Sequence, residues 1–266
     1  MMQIIKVPAI NGLGKTNGCE KAGNAILTSL KEIYSNEQGK PIDVSLLDLE
    51  EIHVDSRNLD LTSKLIYKNA LESLDKDRII FLGGDHSISF STCKAFLDYC
   101  REDGKEPCLI VFDSHPDLMP PVENPTHEEW LRALIERGFP AKNILLVGLR
   151  NCDHEELRFL GEKKIRTISC NQILLDIEDI CDTIMEFSSG KELYLSLDVD
   201  VLDPCFAPGT GYKESGGLTS RQLIYLVQRL NKIKTLKAID IVEINPLLDK
   251  EGLTVKLGAK ILSEFL

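Results

Sequence analysis

The sequence predicts an α/β fold in which a mainly parallel sheet of about eight strands is covered by helices on both faces. Three observations carry that prediction. Short β-branched, apolar runs recur through all 266 residues. These runs are apolar almost throughout rather than alternating, as expected of strands buried on both faces. Between most of them, apolar residues return at three- and four-residue intervals, the spacing of a helix with one buried stripe. The composition agrees: 43% hydrophobic and 27% charged residues form an ordinary globular balance with no sign of disorder. About eight strands in this length leave no room for a second domain. With no low-complexity linker and no internal repeat, residues 1–266 read as one domain.

In chain order, strands are expected at 2–7, 42–48, 78–82, 108–113, 144–149, 165–169, 192–198 and 236–242. Leu71 and Leu74, Phe90, Phe96 and Leu97, Leu131, Leu134 and Ile135, and Leu223, Leu226 and Val227 mark the apolar faces of intervening helices. Each crossover should be right-handed. The run Val199–Leu202 is read as a loop beyond the seventh strand. The stretch 203–220 is rich in Gly and Pro and too long for a simple connection, so it is expected to be functional.

Net charge is −11. A nucleic-acid partner is excluded by that balance, since phosphate binding needs basic clusters. Metal ions and small cationic substrates suit it, although acidity also simply keeps a protein dissolved. Eight cysteines stand at 19, 93, 100, 108, 152, 170, 181 and 205, and no two form a Cys-x-x-Cys pair. Several lie in apolar runs, such as Cys108 before Leu109-Ile110-Val111, so reduced, buried thiols are expected. The start, Met1-Met2-Gln3-Ile4-Ile5-Lys6, lacks a signal-peptide pattern, and no apolar run approaches a membrane span. A cytoplasmic protein without a membrane partner is expected.

Ligands of open parallel sheets bind beyond the carboxyl ends of the strands. Three expected strands run into polar groups of one kind there: Gly83-Gly84-Asp85-His86-Ser87, Asp113-Ser114-His115-Pro116-Asp117 and Asp198-Val199-Asp200. Alternate residues of an extended segment point the same way, so Asp113, His115 and Asp117 should converge, as should Asp198 and Asp200. Alone, each piece is ordinary: Asp-x-His is commonly a surface pair or cap, and Gly-Gly a tight turn. Three such pieces, each directly after a buried strand, form one site. Four carboxylates so close together repel, and bound cations are the usual remedy. Six ligands exceed a zinc site and suit two metals with bridging carboxylates. Their oxygen-rich set favours Mn²⁺, with Ni²⁺, Co²⁺ or Fe²⁺ tolerated by imidazole.

These residues match a family. The chain resembles the ureohydrolases, which include arginase, agmatinase, guanidinobutyrase and formimidoylglutamase. The resemblance begins with Gly18-Cys19-Glu20-Lys21-Ala22-Gly23, runs through the three metal motifs and Gly148-Leu149-Arg150, and closes with Asp240-Ile241-Val242-Glu243-Ile244-Asn245-Pro246. It implies a three-layer α/β/α sandwich with an eight-stranded, mainly parallel sheet, the arginase/deacetylase-like fold. It also implies two Mn²⁺ ions sharing a hydroxide. By matching positions, His86 binds one metal and His115 the other, Asp113 and Asp198 bridge, Asp117 serves the His86 side and accepts a hydrogen bond from the hydroxide, and Asp200 serves the His115 side. Glu243 occupies the family position that holds the guanidinium; standing alone it would read as a plain loop acid. His127 is the candidate proton shuttle, a task that suits a histidine pKa. This chain departs from the family there: Glu128 replaces the usual Gly, the interval is shorter, and Thr126 with Glu129 could equally open a helix as a capping box. Asp153 and Glu156 stand where the family contacts the substrate's far end, with solvated loop charge as the plain alternative. Relatives form trimers or hexamers, so a homo-oligomer is expected.

The stretch Asp203-Pro204-Cys205-Phe206-Ala207-Pro208-Gly209-Thr210-Gly211 looks more like agmatinases than arginases, although Tyr212-Lys213 replaces the usual Thr-Pro. The loop Leu118-Met119-Pro120-Pro121-Val122 lacks the Asn and Ser groups that arginases offer a substrate carboxylate. The expected activity is therefore cleavage of a guanidino C–N bond to urea and an amine, on agmatine or a similar compound, with arginase or formimidoylglutamase activity as alternatives. A single-zinc deacetylase is disfavoured by the full six-ligand set. A family member that binds metal and ligand without turnover is the reading of another class, motivated by the altered His127 region.

Overall fold

A computed structural model describes residues 2–11 and 14–266. Eight strands form one sheet: β1 (Met2–Val7), β2 (Asp48–Glu51), β3 (Arg78–Gly83), β4 (Pro107–Phe112), β5 (Ile144–Val147), β6 (Arg166–Ile168), β7 (Glu192–Asp198) and β8 (Leu236–Val242). Their order is β2-β1-β3-β8-β7-β4-β5-β6, and every pairing is parallel. Among the described residues nine α-helices pack on it: α1 (Ala22–Leu30), α2 (Leu59–Ser73), α3 (Ile88–Glu102), α4 (Trp130–Glu136), α5 (His154–Lys163), α6 (Cys170–Leu175), α7 (Ile177–Phe187), α8 (Ser220–Leu230) and α9 (Leu253–Phe265).

Two apolar clusters make three layers. Ile80, Ile110, Leu195 and Ile239 point to one face, where Ile26, Ile184, Leu226 and Leu262 of α1, α7, α8 and α9 cover them. Ile79, Leu109, Leu146 and Ala238 point to the other, under Ile66, Phe96, Leu134 and Phe159 of α2 to α5. Both strand faces are therefore buried, which is why the inner strands carry no polar alternation. The expected α/β/α sandwich is the observed one. Among the described residues no helix is long and apolar enough to cross a membrane.

Seven strands lie where the sequence puts them, within two residues at each end. The second does not. Residues 42–48 were expected as a strand, but Asp43 accepts a hydrogen bond from the Ser45 amide and caps a 3-10 turn at Val44–Leu46. The strand begins only at Asp48. It is an edge strand of sequence Asp-Leu-Glu-Glu, mostly exposed and tied by polar contacts: Gln3 Nε2 donates to Asp48 and Glu50, and Lys6 pairs with Glu51. Edge strands need no apolar run, so the apolar pattern pointed to the wrong residues. The tract Val199–Val201 is a 3-10 turn closing β7.

Candidate metal centre and substrate pocket

Four adjacent central strands deliver the site. β3 runs into His86, β4 into Asp113, β7 into Asp198, and β8 into Glu243. Gly84 is required by a close approach rather than by a turn. A Cβ there would meet the Ala9 carbonyl oxygen at 1.8 Å, while the Gly84 amide donates to Val7. The tips of β1 and β3 are thereby clamped, and the chain is turned so that His86 faces inward.

His86 Nδ1 lies 3.0 Å from Asp113 Oδ2, 3.0 Å from Asp117 Oδ2 and 3.2 Å from Asp198 Oδ2. His115 Nδ1 lies 3.0 Å from Asp200 Oδ2 and 3.6 Å from Asp113 Oδ1. Two groups result, His86/Asp113/Asp198 and Asp113/His115/Asp200, joined at Asp113, with the ligand atoms of each within 4.8 Å of one another. All six expected ligands are in one place. The path to that convergence differs from the expected extended segment. The chain bends after Asp113: the His115 amide donates to Asp113 Oδ1 at 2.6 Å, and Asp117 takes a left-handed φ of 53°. Likewise the Asp200 amide donates to Asp198 Oδ1 at 2.7 Å.

The electrostatics ask for a cation. Burial alone would depress the pKa of His86, yet its three carboxylates raise it well above the ordinary value. Burial, then the neighbouring Asp200 and Asp113 charges, pushes Asp198 well up, and burial plus Asp113 pushes Asp117 up to about 7. Burial works against ionised Asp113, but the His115 and His86 imidazoles beside it hold its carboxyl below the ordinary range. Asp113 Oδ2 and His86 Nδ1 are buried without a hydrogen-bond donor or acceptor of good geometry. Orphaned lone pairs inside a ring of like charges fit divalent metal. The donor set, four carboxylates and two imidazoles, fits a pair of ions better than one.

Behind the ligands stands a support that sequence reasoning missed. His86 Nε2 is 2.9 Å from Ser196 Oγ, which donates to Asp240 Oδ1 at 2.6 Å. Asp240 also accepts from Ser89 and Tyr194. Burial raises the Asp240 carboxyl pKa. Ser196 and Asp240 are register partners across β7 and β8. A signal existed: Tyr194, Ser196 and Asp198 form a polar stripe along one face of an otherwise apolar strand. On the other side, Ser114 donates through N and Oγ to Asp200 Oδ1, and Trp130 Nε1 donates to Asp117 Oδ2 at 2.6 Å.

Five of the six expected ligands, all but Asp113, line a cavity of about 320 Å³. Glu243 is buried at its base in a left-handed conformation, φ 62°, and accepts the His86 amide at 2.9 Å. Burial, then the Asp198 and Asp85 charges, raises its pKa well above that of an ordinary glutamate. His127 is buried in the wall beside Asp85 and Glu243, with neither ring nitrogen hydrogen-bonded; burial lowers its pKa. Of the capping alternative only half is present: Thr126 N and Oγ1 donate to Glu129, but Thr126 Oγ1 accepts the Glu128 amide, and α4 starts later, with Glu129 at its N-cap. Asp153 and Glu156 also line the cavity. Both form the capping box of α5: Asp153 accepts from the Glu155 amide, and Glu156 accepts from the Asp153 and Leu118 amides.

The model of the arginase family matches residues 2–266. An arginase of Staphylococcus aureus is 31% identical over 99% of this chain and 96% of its own length. An arginase of Agrobacterium fabrum is 30% identical over 68% of this chain and 61% of its own. Among solved structures, formimidoylglutamase from Bacillus subtilis superposes with a TM-score of 0.88 at 24% identity, covering 99% of this chain and 85% of that one. A hypothetical agmatinase from Burkholderia thailandensis gives 0.85 at 25%, covering 99% and 83%. The fold and the carboxylate–imidazole cluster define a hydrolase of the binuclear-metal type. The chain belongs to the arginase family.

Proposed function

We propose that this chain hydrolyses a guanidino C–N bond, releasing urea and an amine, with agmatine or a similar guanidino compound as substrate. One observation carries the reading: a buried carboxylate, Glu243, lines one cavity with five of the six converging residues, all but Asp113. His86, Asp113, Asp117 and Asp198 would hold one ion, and His115, Asp113, Asp198 and Asp200 the other. Two Mn²⁺ ions, or Ni²⁺ or Co²⁺, would supply a nucleophilic water at neutral pH.

The remaining work belongs to side chains. Glu243 accepts the guanidinium's N–H groups, a charge-assisted contact strengthened by burial. Its position fixes the guanidinium carbon against the metal cluster, which converts binding into orientation. Asp117, tied by the indole of Trp130, orients the attacking water and takes its proton. His127 relays a proton to the leaving amine nitrogen; a buried imidazole of lowered pKa is a strong donor once protonated. Asp153 and Glu156 add negative charge toward the far end of the substrate. The whole chain, 1–266, acts as one unit, since a single sheet supplies every ligand. A homo-oligomer, trimer or hexamer, is the assembly expected from the family resemblance. Eight unpaired cysteines suit a reducing, cytoplasmic setting.

Arginase activity is the second reading, favoured by the arginase relatives at about 30% identity. Against it, the loop 118–122 brings only Met119 to the cavity. A urea-release screen over arginine, agmatine, guanidinobutyrate and guanidinopropionate, with Mn²⁺, Ni²⁺ and Co²⁺ in turn, decides. Urea from agmatine above arginine is expected; urea chiefly from arginine favours the second reading, and none from any compound removes both. A parallel formamide assay with formimidoylglutamate tests the remaining alternative.

A further inference from the structure

Eight carboxylates line the cavity, and among the described residues no Lys or Arg does. Most of the eight have work already. Asp117, Asp198 and Asp200 face the metal cluster, and Glu243 the guanidinium. Both oxygens of Glu156 accept backbone amides, and Asp153 caps α5. Glu128 stands at the mouth, its Oε1 3.8 Å from His127 Nε2. Glu214 is different, because it is fixed in place and still has an oxygen to offer.

Two neighbouring residues fix it. The Arg150 guanidinium donates to the Glu214 carbonyl through Nε at 3.2 Å and Nη2 at 2.8 Å, and to the carbonyls of Asp200, Val201 and Leu202. The side chain is held through Oε1, which accepts Asn151 Nδ2 at 2.8 Å and lies 3.5 Å from His115 Nε2. Among the described residues no donor reaches Oε2. The Tyr212 ring lies tilted against His127, with 5.0 Å between centroids, and Lys15 Nζ sits 4.5 Å from its centre. Tyr212 therefore walls the cavity with a braced aromatic surface that can cover methylenes.

We propose that Glu214, backed by Tyr212, is a specificity-determining residue that receives a second cationic group, an ammonium, at the far end of the guanidino substrate. The proposal rests on the guanidino reading above. A carboxylate already positioned by its neighbours loses little freedom on pairing, so its charge is available to select a ligand. A substrate ending in a carboxylate would instead meet a wall of like charge.

The test is calorimetric titration of the Mn²⁺-loaded full chain with agmatine, butylguanidine and 4-guanidinobutyrate, beside urea release from each. Wild type should bind agmatine at least about tenfold tighter than butylguanidine, and 4-guanidinobutyrate weakest. In Glu214→Gln the ratio of agmatine to butylguanidine should fall to about one, while Glu214→Asp keeps the preference. Three results would overturn the proposal: no preference in wild type, a preference that survives Glu214→Gln, or equal losses for all three compounds. The last would make Glu214 a support for His115. Binding preference that vanishes in Glu214→Gln without any urea release would remove the hydrolase reading and leave this inference standing.

Discussion

Glu243 holds a left-handed backbone that costs a glutamate on the order of 1–3 kcal/mol. Its carboxylate accepts the His86 amide in a buried setting that disfavours charge. On the proposed reading, the guanidinium offsets the strain and desolvation at this residue. Glu243→Gln should leave the fold intact and lower kcat/KM for urea release by about 100-fold or more, since a charge-assisted contact becomes a neutral one. Steady-state kinetics on the metal-loaded protein measures it; a loss below fivefold would remove Glu243 from guanidinium binding. The Ser196–Asp240 support makes a separate claim. Asp240→Asn should weaken metal binding about 10- to 100-fold, because groups behind a ligating imidazole set its orientation and basicity. Chelator competition reads this directly, and unchanged affinity would contradict it. The convergence of these six residues was legible because their three motifs each adjoin the end of an apolar strand. Ser196 and Asp240 were less so, because partners across a register become visible only when β7 is known to lie beside β8.

Seven strand ends were legible from apolar runs, and β2 was not, since an edge strand held by Gln3 and Lys6 needs no such run. The loops escaped for a different reason. Nothing in the sequence announces that Arg150 donates six hydrogen bonds to the carbonyls of Gly148, Asp200, Val201, Leu202 and Glu214. That clasp joins the end of β5, the turn after β7 and the long connection to α8. Gly148, with φ 102° and Val201 2.6 Å from where its Cβ would stand, lets the two segments approach. Arg150→Lys keeps the charge but loses the fork. It should cost about 2–4 kcal/mol of stability, several net hydrogen bonds at about 0.5–1.5 kcal/mol each. A denaturant midpoint unchanged from wild type would show that the clasp is dispensable.

Across the whole molecule, charge sets the balance. A chain of net charge −11 gathers eight carboxylates around one cavity, so its native state is short of cations there. Removing divalent metal with a chelator should lower the melting temperature by about 10 °C, the shift expected if saturating metal adds about 4 kcal/mol. Far from the site, Glu37 bridges the 33–41 segment to α8 and α9. Its hydrogen bond from Arg221 holds the carboxyl down to about 2, with smaller help from Gln228 and Lys260. A depressed folded pKa contributes stability above the ordinary glutamate pKa, and that contribution is lost as pH falls through the folded value. The melting temperature should therefore drop more steeply between pH 5 and about 2 in wild type than in Glu37→Gln. Parallel slopes would show that the bridge is inert, as exposed pairs often are.

His86, Asp113, His115, Asp117, Asp198 and Asp200 are proposed to form one centre for two metals. Metal content per chain, measured after Mn²⁺ loading and removal of free metal, tests it most directly. Two ions are expected per wild-type chain, and about one or fewer when Asp198→Ala removes a shared ligand. One ion per wild-type chain, or a content that Asp198→Ala leaves unchanged, would contradict it.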